Sequence, residues 1–236
     1  MQSEGTKRLW LQVALTGVLV LIWATILLSD FRFDAGHHPP GYGDSIYALE
    51  FARTPADVAA VLGPEGGPGY GRKLAQLSKA TRFDMAFAAA YALFLFLAFA
   101  ALRKSGAART VCLAGMVLSA IAGAADMTEN AIMLGMFAKQ TTLPGLEWLW
   151  LPVHVKFAAL GATALLAGVL LRRVSTLAGR VAGAACGLGG AVGLVALLSP
   201  STLGWTLGNA IGLAWVAITA FAGWRAWQGR KAGSTP

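Results

Sequence analysis

Six apolar stretches, each long enough to cross a bilayer, constrain this chain more than any other feature. They run over 10–28, 83–102, 110–137, 148–171, 181–199 and 204–227, and about 20 helical residues span the hydrocarbon. Inside lipid, a segment has to satisfy its own backbone donors and acceptors, which makes each stretch a helix. The fold class is therefore all-α: a polytopic membrane helix bundle of six transmembrane helices with a short helical outer loop. Composition agrees, with 56% hydrophobic and 13% charged residues where soluble domains carry about 25% charged.

The net charge of +8 is informative through its placement. Lys7, Arg8, Arg103, Lys104, Arg109, Arg172, Arg173, Arg180, Arg225, Arg230 and Lys231 fall on one side, with Glu4 the only acid among them. The other side holds Arg32, Arg53, Arg72, Lys73, Lys79, Arg82 and Lys139, mostly in one long loop balanced by acids. The positive-inside rule then places both termini in the cytoplasm of a bacterial plasma (inner) membrane. Basic residues spread over membrane-flanking clusters give no nucleic-acid surface. Lys7-Arg8 ahead of an apolar run resembles a signal peptide, but Leu27-Leu28-Ser29-Asp30 offers no small-x-small cleavage site, so a retained first helix is expected. Cys112 and Cys186 lie within spans and imply no disulfide framework.

Four regions follow: 1–29, the N-terminus and first span; 30–82, an extracytoplasmic helical cap loop; 83–173, spans two to four; and 174–236, a glycine-rich hairpin with a cytoplasmic tail. In the loop, Asp44 or Ser45 can cap a short helix with Ile46, Leu49 and Phe51 on its apolar face. Thr54-Pro55-Ala56-Asp57 reads as a second helix start, and Gly63-Pro64 ends that helix. A third helix from about Arg72 is expected to run on into the second span. The loop reads as a cap lying on the membrane surface over the bundle. His37 and His38, adjacent on a Pro-rich stretch, read as solvated.

Chemistry concentrates in the third span. Asp126, Glu129 and Asn130 stand at i, i+3 and i+4, sharing one helix face inside an otherwise apolar run. Intramembrane carboxylates are costly, about 2.5–3.5 kcal/mol each at a helix centre, and usually face an interior or a cavity. Asp126 sits about 24 Å from the start of the span at 1.5 Å per residue, towards the outer side. The alternative is a span ending near Asn130, with the acids merely interfacial. In the fourth span, Lys156 supplies a counter-ion; His154, two residues away, points elsewhere and reads as locally satisfied. Asp84 opens the second span as a helix-start acid or a site residue, and Tyr91, seven residues on, lies on a similar face.

With Asp84, Asp126 and Glu129 against Lys156, full ionisation leaves two excess negative charges. Relief comes from a retained proton, an inward Arg82, or a bound cation. The glycines Gly179, Gly183 and Gly187, at four-residue spacing, allow close helix contact within the chain or with a homo-oligomeric or membrane-protein partner. No metal is expected, because the ligand set is poor. No cofactor is expected either: a phosphate-binding glycine loop and a G-x-S-x-G elbow are missing, and one intramembrane histidine does not make a bis-histidine haem site.

Glu50-Phe51-Ala52-Arg53-Thr54-Pro55, Phe83-Asp84 through Tyr91, Asp126-x-x-Glu129-Asn130 and Lys156-Phe157 together resemble a group of uncharacterised bacterial multi-pass membrane proteins over about residues 45–160. That resemblance implies only that Asp84, Asp126, Glu129, Asn130 and Lys156 belong together. The expected ligand-binding set is Asp84, Tyr91, Asp126, Glu129, Asn130 and Lys156. The leading function is binding, or helping transport, an amphipathic or lipid-like small molecule, with membrane lipids as surroundings. One alternative is a membrane enzyme with Glu129 and Asp126 as catalytic acid/base groups on a lipid or isoprenoid-like substrate. The other is a non-catalytic subunit of a membrane complex.

Overall fold

A computed structural model describes residues 3–30, 42 and 45–231. His37, His38 and Asp44 lie outside the described residues. The helices are α1 (Glu4–Asp30), α2 (Ser45–Glu50), α3 (Pro55–Leu62), α4 (Tyr70–Lys104), α5 (Arg109–Ala138), α6 (Trp150–Arg172), α7 (Leu177–Leu197) and α8 (Pro200–Lys231), with a 3-10 turn at Leu146–Trp148. Six of them are long and apolar enough to cross a membrane. The chain is a membrane-embedded, multi-pass helical protein.

Short connections set the order of packing. Four residues join α4 to α5, with Gly106 at φ 91° making the reversal, and two join α7 to α8. Consecutive long helices therefore lie side by side and antiparallel. α1 packs on both α4 and α8, so the contacts close into a ring: α1, α4, α5, α6, α7, α8 and back to α1. At the end opposite α2, the Trp10 indole N–H donates to Ser105 Oγ at 3.1 Å, and its ring meets Phe221 edge-on. The outer faces carry Leu15, Val18, Leu19, Ile22 and Ile26 on α1, and Val181, Leu188 and Val195 on α7, all exposed. These apolar stripes are the faces a helix turns to lipid.

The segment between α1 and α4 differs from a cap lying on a surface. Ser45, Ile46, Ala48, Leu49 and Glu50 of α2 are all buried, so the helix is inserted into the end of the ring. Phe51 stacks on Phe157 of α6 at 5.8 Å, and Tyr47 packs against Gly208 of α8, where a side chain on the glycine would collide with the phenol. α3 begins as its sequence predicts, with a reciprocal capping box. Asp57 Oδ2 accepts from the Arg53 N–H at 2.9 Å, the Thr54 N–H at 2.8 Å and the Thr54 hydroxyl at 2.9 Å. Those bonds, the Arg53 N–H first, hold Asp57 below the usual carboxylate range. α4 is one unbroken helix from the loop into the second span, as expected.

Candidate functional site

Lys156 is the centre around which the polar side chains gather. It stands on α6, 4% exposed, and its ammonium meets three carboxyls from two other helices. Glu129 Oε2 of α5 lies at 2.7 Å, Glu50 Oε1 of α2 at 3.0 Å and Asp126 Oδ1 of α5 at 3.4 Å. The ammonium donates hydrogen bonds to Glu50 and Asp126, while Glu129 meets it as an ion-pair contact. The i, i+3 spacing of Asp126 and Glu129 puts both on the α5 face turned to α6.

The cluster extends to α4 through an amide. Asn130 Nδ2 donates to Asp84 Oδ2 at 3.0 Å and to Asp126 Oδ1 at 3.4 Å, bridging the two acids. The Tyr91 hydroxyl lies 2.9 Å from Asp126 Oδ2 and 3.0 Å from the Ala122 carbonyl, so its single proton serves two acceptors. All six expected binding residues therefore come together, and each is buried. α5 continues to Ala138 beyond the acids, with Met133, Met136 and Phe137 buried, so Asp126 and Glu129 sit within the bundle and not at a frayed helix end. His154 is satisfied locally, its Nδ1 at 2.8 Å from the Trp150 carbonyl.

Glu50 is the member that sequence reasoning left out of the site. It is 4% exposed, and burial pushes its carboxyl above the usual range, against the pull of Lys156 and reinforced by Asp126. Four carboxyls now share one ammonium, and full ionisation would leave three negative charges uncompensated. Arg82 points outward and is exposed, so it does not relieve them. Retained protons or a cation must. Two cluster acceptors, Glu50 Oε2 and Asn130 Oδ1, are buried with no hydrogen-bond partner among the described residues. Glu129 Oε2 is satisfied by charge, through the 2.7 Å ion pair, without a well-aligned hydrogen bond, and its Oε1 lacks a partner. Among the described residues, no group of His, Cys, Asp or Glu side chains is arranged to hold a metal ion; the ammonium occupies the centre of the carboxyls.

A cavity of about 400 Å³ borders this cluster. Its charged wall is Glu50, Asp84, Asp126 and Lys156, with the Tyr91 ring beside them. Glu129 and Asn130 do not line it; they brace Lys156 and Asp84 from behind. The remaining walls are mostly apolar, with Thr25, Tyr47 and Asn209 as polar exceptions, and include parts of the chain with no ionisable group within the spans. α1 contributes Leu21, Ala24 and Leu27, and α8 contributes Ile211, Gly212 and Trp215, the last stacked on Tyr91 at 5.3 Å. Thr25 of α1 and Trp205, Leu213 and Val216 of α8 also border the space, and all four are exposed. The mouth therefore opens between α1 and α8, towards the faces that carry lipid-facing side chains.

The glycines of α7 are used for packing elsewhere. A Cβ at Gly183 would meet the Arg172 backbone N at 2.5 Å, and one at Gly179 the Leu171 carbonyl at 3.0 Å, so α6 of the same chain occupies both positions. A Cβ at Gly187 would meet nothing within 4 Å. No protein family, no curated protein and no solved structure matches this chain.

Proposed function

We propose that this membrane protein binds, or helps to move, an amphipathic or lipid-like small molecule in the cavity inside its helix ring. One observation carries the reading: the charged cluster borders a cavity of ligand size whose mouth is framed by lipid-facing side chains. Small-molecule sites have roughly 300–1,000 Å³, mostly apolar walls and a few convergent polar groups. A polar network that only oriented helices would have no need of such a space beside it. The basic residues at the end opposite α2 support a cytoplasmic position for that end by the positive-inside rule. The cavity then serves the outer leaflet of a bacterial inner membrane.

Native mass spectrometry of the protein released with its lipids tests this, comparing wild type with Gly212→Leu. Gly212 lines the cavity, and a Cβ there meets no atom within 4 Å, so leucine suits the helix and fills the space. One defined molecule per chain in wild type, and its loss in the variant, is expected. Equal retention by both proteins rules out binding in this cavity.

The Tyr91–Asp126 hydrogen bond at the cavity wall favours a catalytic second reading, since it sets a proton donor and a carboxyl beside the ligand space. Asp126 would then act as acid or base and Lys156 would stabilise charge, while Glu129 positions Lys156. Chemical conversion of the co-purified molecule by wild type, lost in Tyr91→Phe with binding retained, separates this reading from simple binding.

A further inference from the structure

We propose that the head group taken by this cavity is an ammonium that still carries N–H donors, on a ligand whose apolar body lies between α1 and α8. The inference rests on the binding reading above and deepens it.

Charge comes first. The cavity wall presents Glu50, Asp84 and Asp126 against one ammonium, and Glu129, behind them, already claims part of that ammonium at 2.7 Å. An anionic head such as a phosphate or a fatty carboxylate would add to a site whose carboxyls already outnumber its cations in a poorly solvated place. A cation would relieve it by taking the place of the retained protons. Hydrogen bonding makes the second, independent point. Glu50 lines the cavity and is more than nine-tenths buried; its Oε1 accepts from Lys156, while Oε2 has no fixed donor among the described residues, since the neighbouring Glu129 carboxyl can fill that place only by keeping a proton. A buried acceptor left unmade costs its full desolvation, so the position calls for a donor. A quaternary ammonium brings charge but no N–H; a neutral alcohol brings a donor but no charge; a primary or secondary ammonium brings both. The body of the ligand follows from the mouth. Ala24, Leu213 and Val216 give it an apolar path to the lipid, whereas a small hydrophilic amine would gain nothing from these walls.

The test is equilibrium binding to the full chain in lipid nanodiscs, with four probes of equal chain length: dodecylamine, dodecyltrimethylammonium, dodecanol and dodecanoate. Methylammonium, which has the head without the tail, is the fifth. Dodecylamine is expected to bind best, by about tenfold or more over each other probe, the scale of a charge-assisted hydrogen bond. Glu50→Gln should abolish that preference, and Gly212→Leu should abolish binding of the tailed probes while leaving the protein folded. If the alcohol, the acid or the quaternary amine binds as well as dodecylamine and Gly212→Leu blocks it, the ammonium assignment is wrong and the cavity reading stands. If methylammonium binds as well as dodecylamine, the apolar body is wrong. If no probe binds in a Gly212-dependent way, the ammonium assignment and the cavity reading both fall.

Discussion

Two seams of the ring hold membrane helices together by opposite means. Along α6 and α7, Gly168, Gly183 and Gly190 bring the backbones so close that a Cβ at Gly168 would lie 2.7 Å from the Gly187 nitrogen. The contacts are made by backbone and small or apolar groups, with only the stem of Arg172 reaching the end of the seam. Across α4, α5 and α6 the contact is instead a network of carboxyls, an amide and an ammonium, extended to α2 by Glu50, with a cavity beside it. Lipid gives no hydrophobic drive for one helix to join another, so both close packing and polar bonding are available solutions. The glycine seam maximises contact. The polar seam accepts a void and more carboxyls than cations to pair them, both costly, which argues that it is kept for something other than cohesion.

Breaking the polar seam should have the larger consequence. Lys156→Met removes the only ammonium among the buried side chains of the site and leaves Glu50, Asp126 and Glu129 facing one another. A loss of about 3–5 kcal/mol is expected, the scale for stripping one partner from a buried pair. Thermal unfolding in micelles would show it as a marked fall in Tm, and an unchanged Tm would mean the cluster is not held by its lysine. Overfilling the glycine seam ranks next. Gly168→Leu forces a side chain into the α7 backbone and should cost about 1–3 kcal/mol. Unlike Lys156→Met, it should leave the head-group preference of the remaining folded protein intact.

A smaller effect comes from pH. Glu50 has its carboxyl raised by burial in the folded chain, so the native state holds a proton that the unfolded chain gives up from about pH 4.5. Its contribution to stability is present below that point and is lost as pH rises through the higher folded value. Glu50→Gln should flatten the decline of Tm with pH in that window; a variant whose Tm declines with pH like wild type would show that Glu50 does not titrate there. Gly187→Ala should matter least, within about 0.5 kcal/mol, because no atom waits within 4 Å. A large fall in Tm for Gly187→Ala would mean that this position is packed, by the chain or by a second copy.

The difference between the seams also decided what could be read in advance. The spans, the α3 cap and the continuous α4 follow from apolar length, a Thr cap and an uninterrupted pattern, all local signals. Asp84, Tyr91, Asp126, Glu129, Asn130 and Lys156 were legible because a polar group inside an apolar run is conspicuous and needs a partner. Glu50 was not, since it ends a six-residue helix in a loop where an acid is unremarkable. Its signal was its position four residues after Ile46, on the buried face of α2. The α1 and α8 walls carried no signal of this kind. Their part in the cavity comes from ring closure, a tertiary fact that no apolar period encodes.

The measurement that bears most directly on the central claim is photolabelling with a dodecylamine analogue carrying a diazirine at its tail, followed by peptide mapping. Labels on the cavity-lining positions of α1 and α8, Leu21, Ala24, Leu213 and Val216, lost on competition with dodecylamine and in Gly212→Leu, are the predicted result. Labels confined to the outer stripe at Leu15, Val117, Leu188 and Val195, unmoved by competitor, would contradict it and leave the cavity without a ligand.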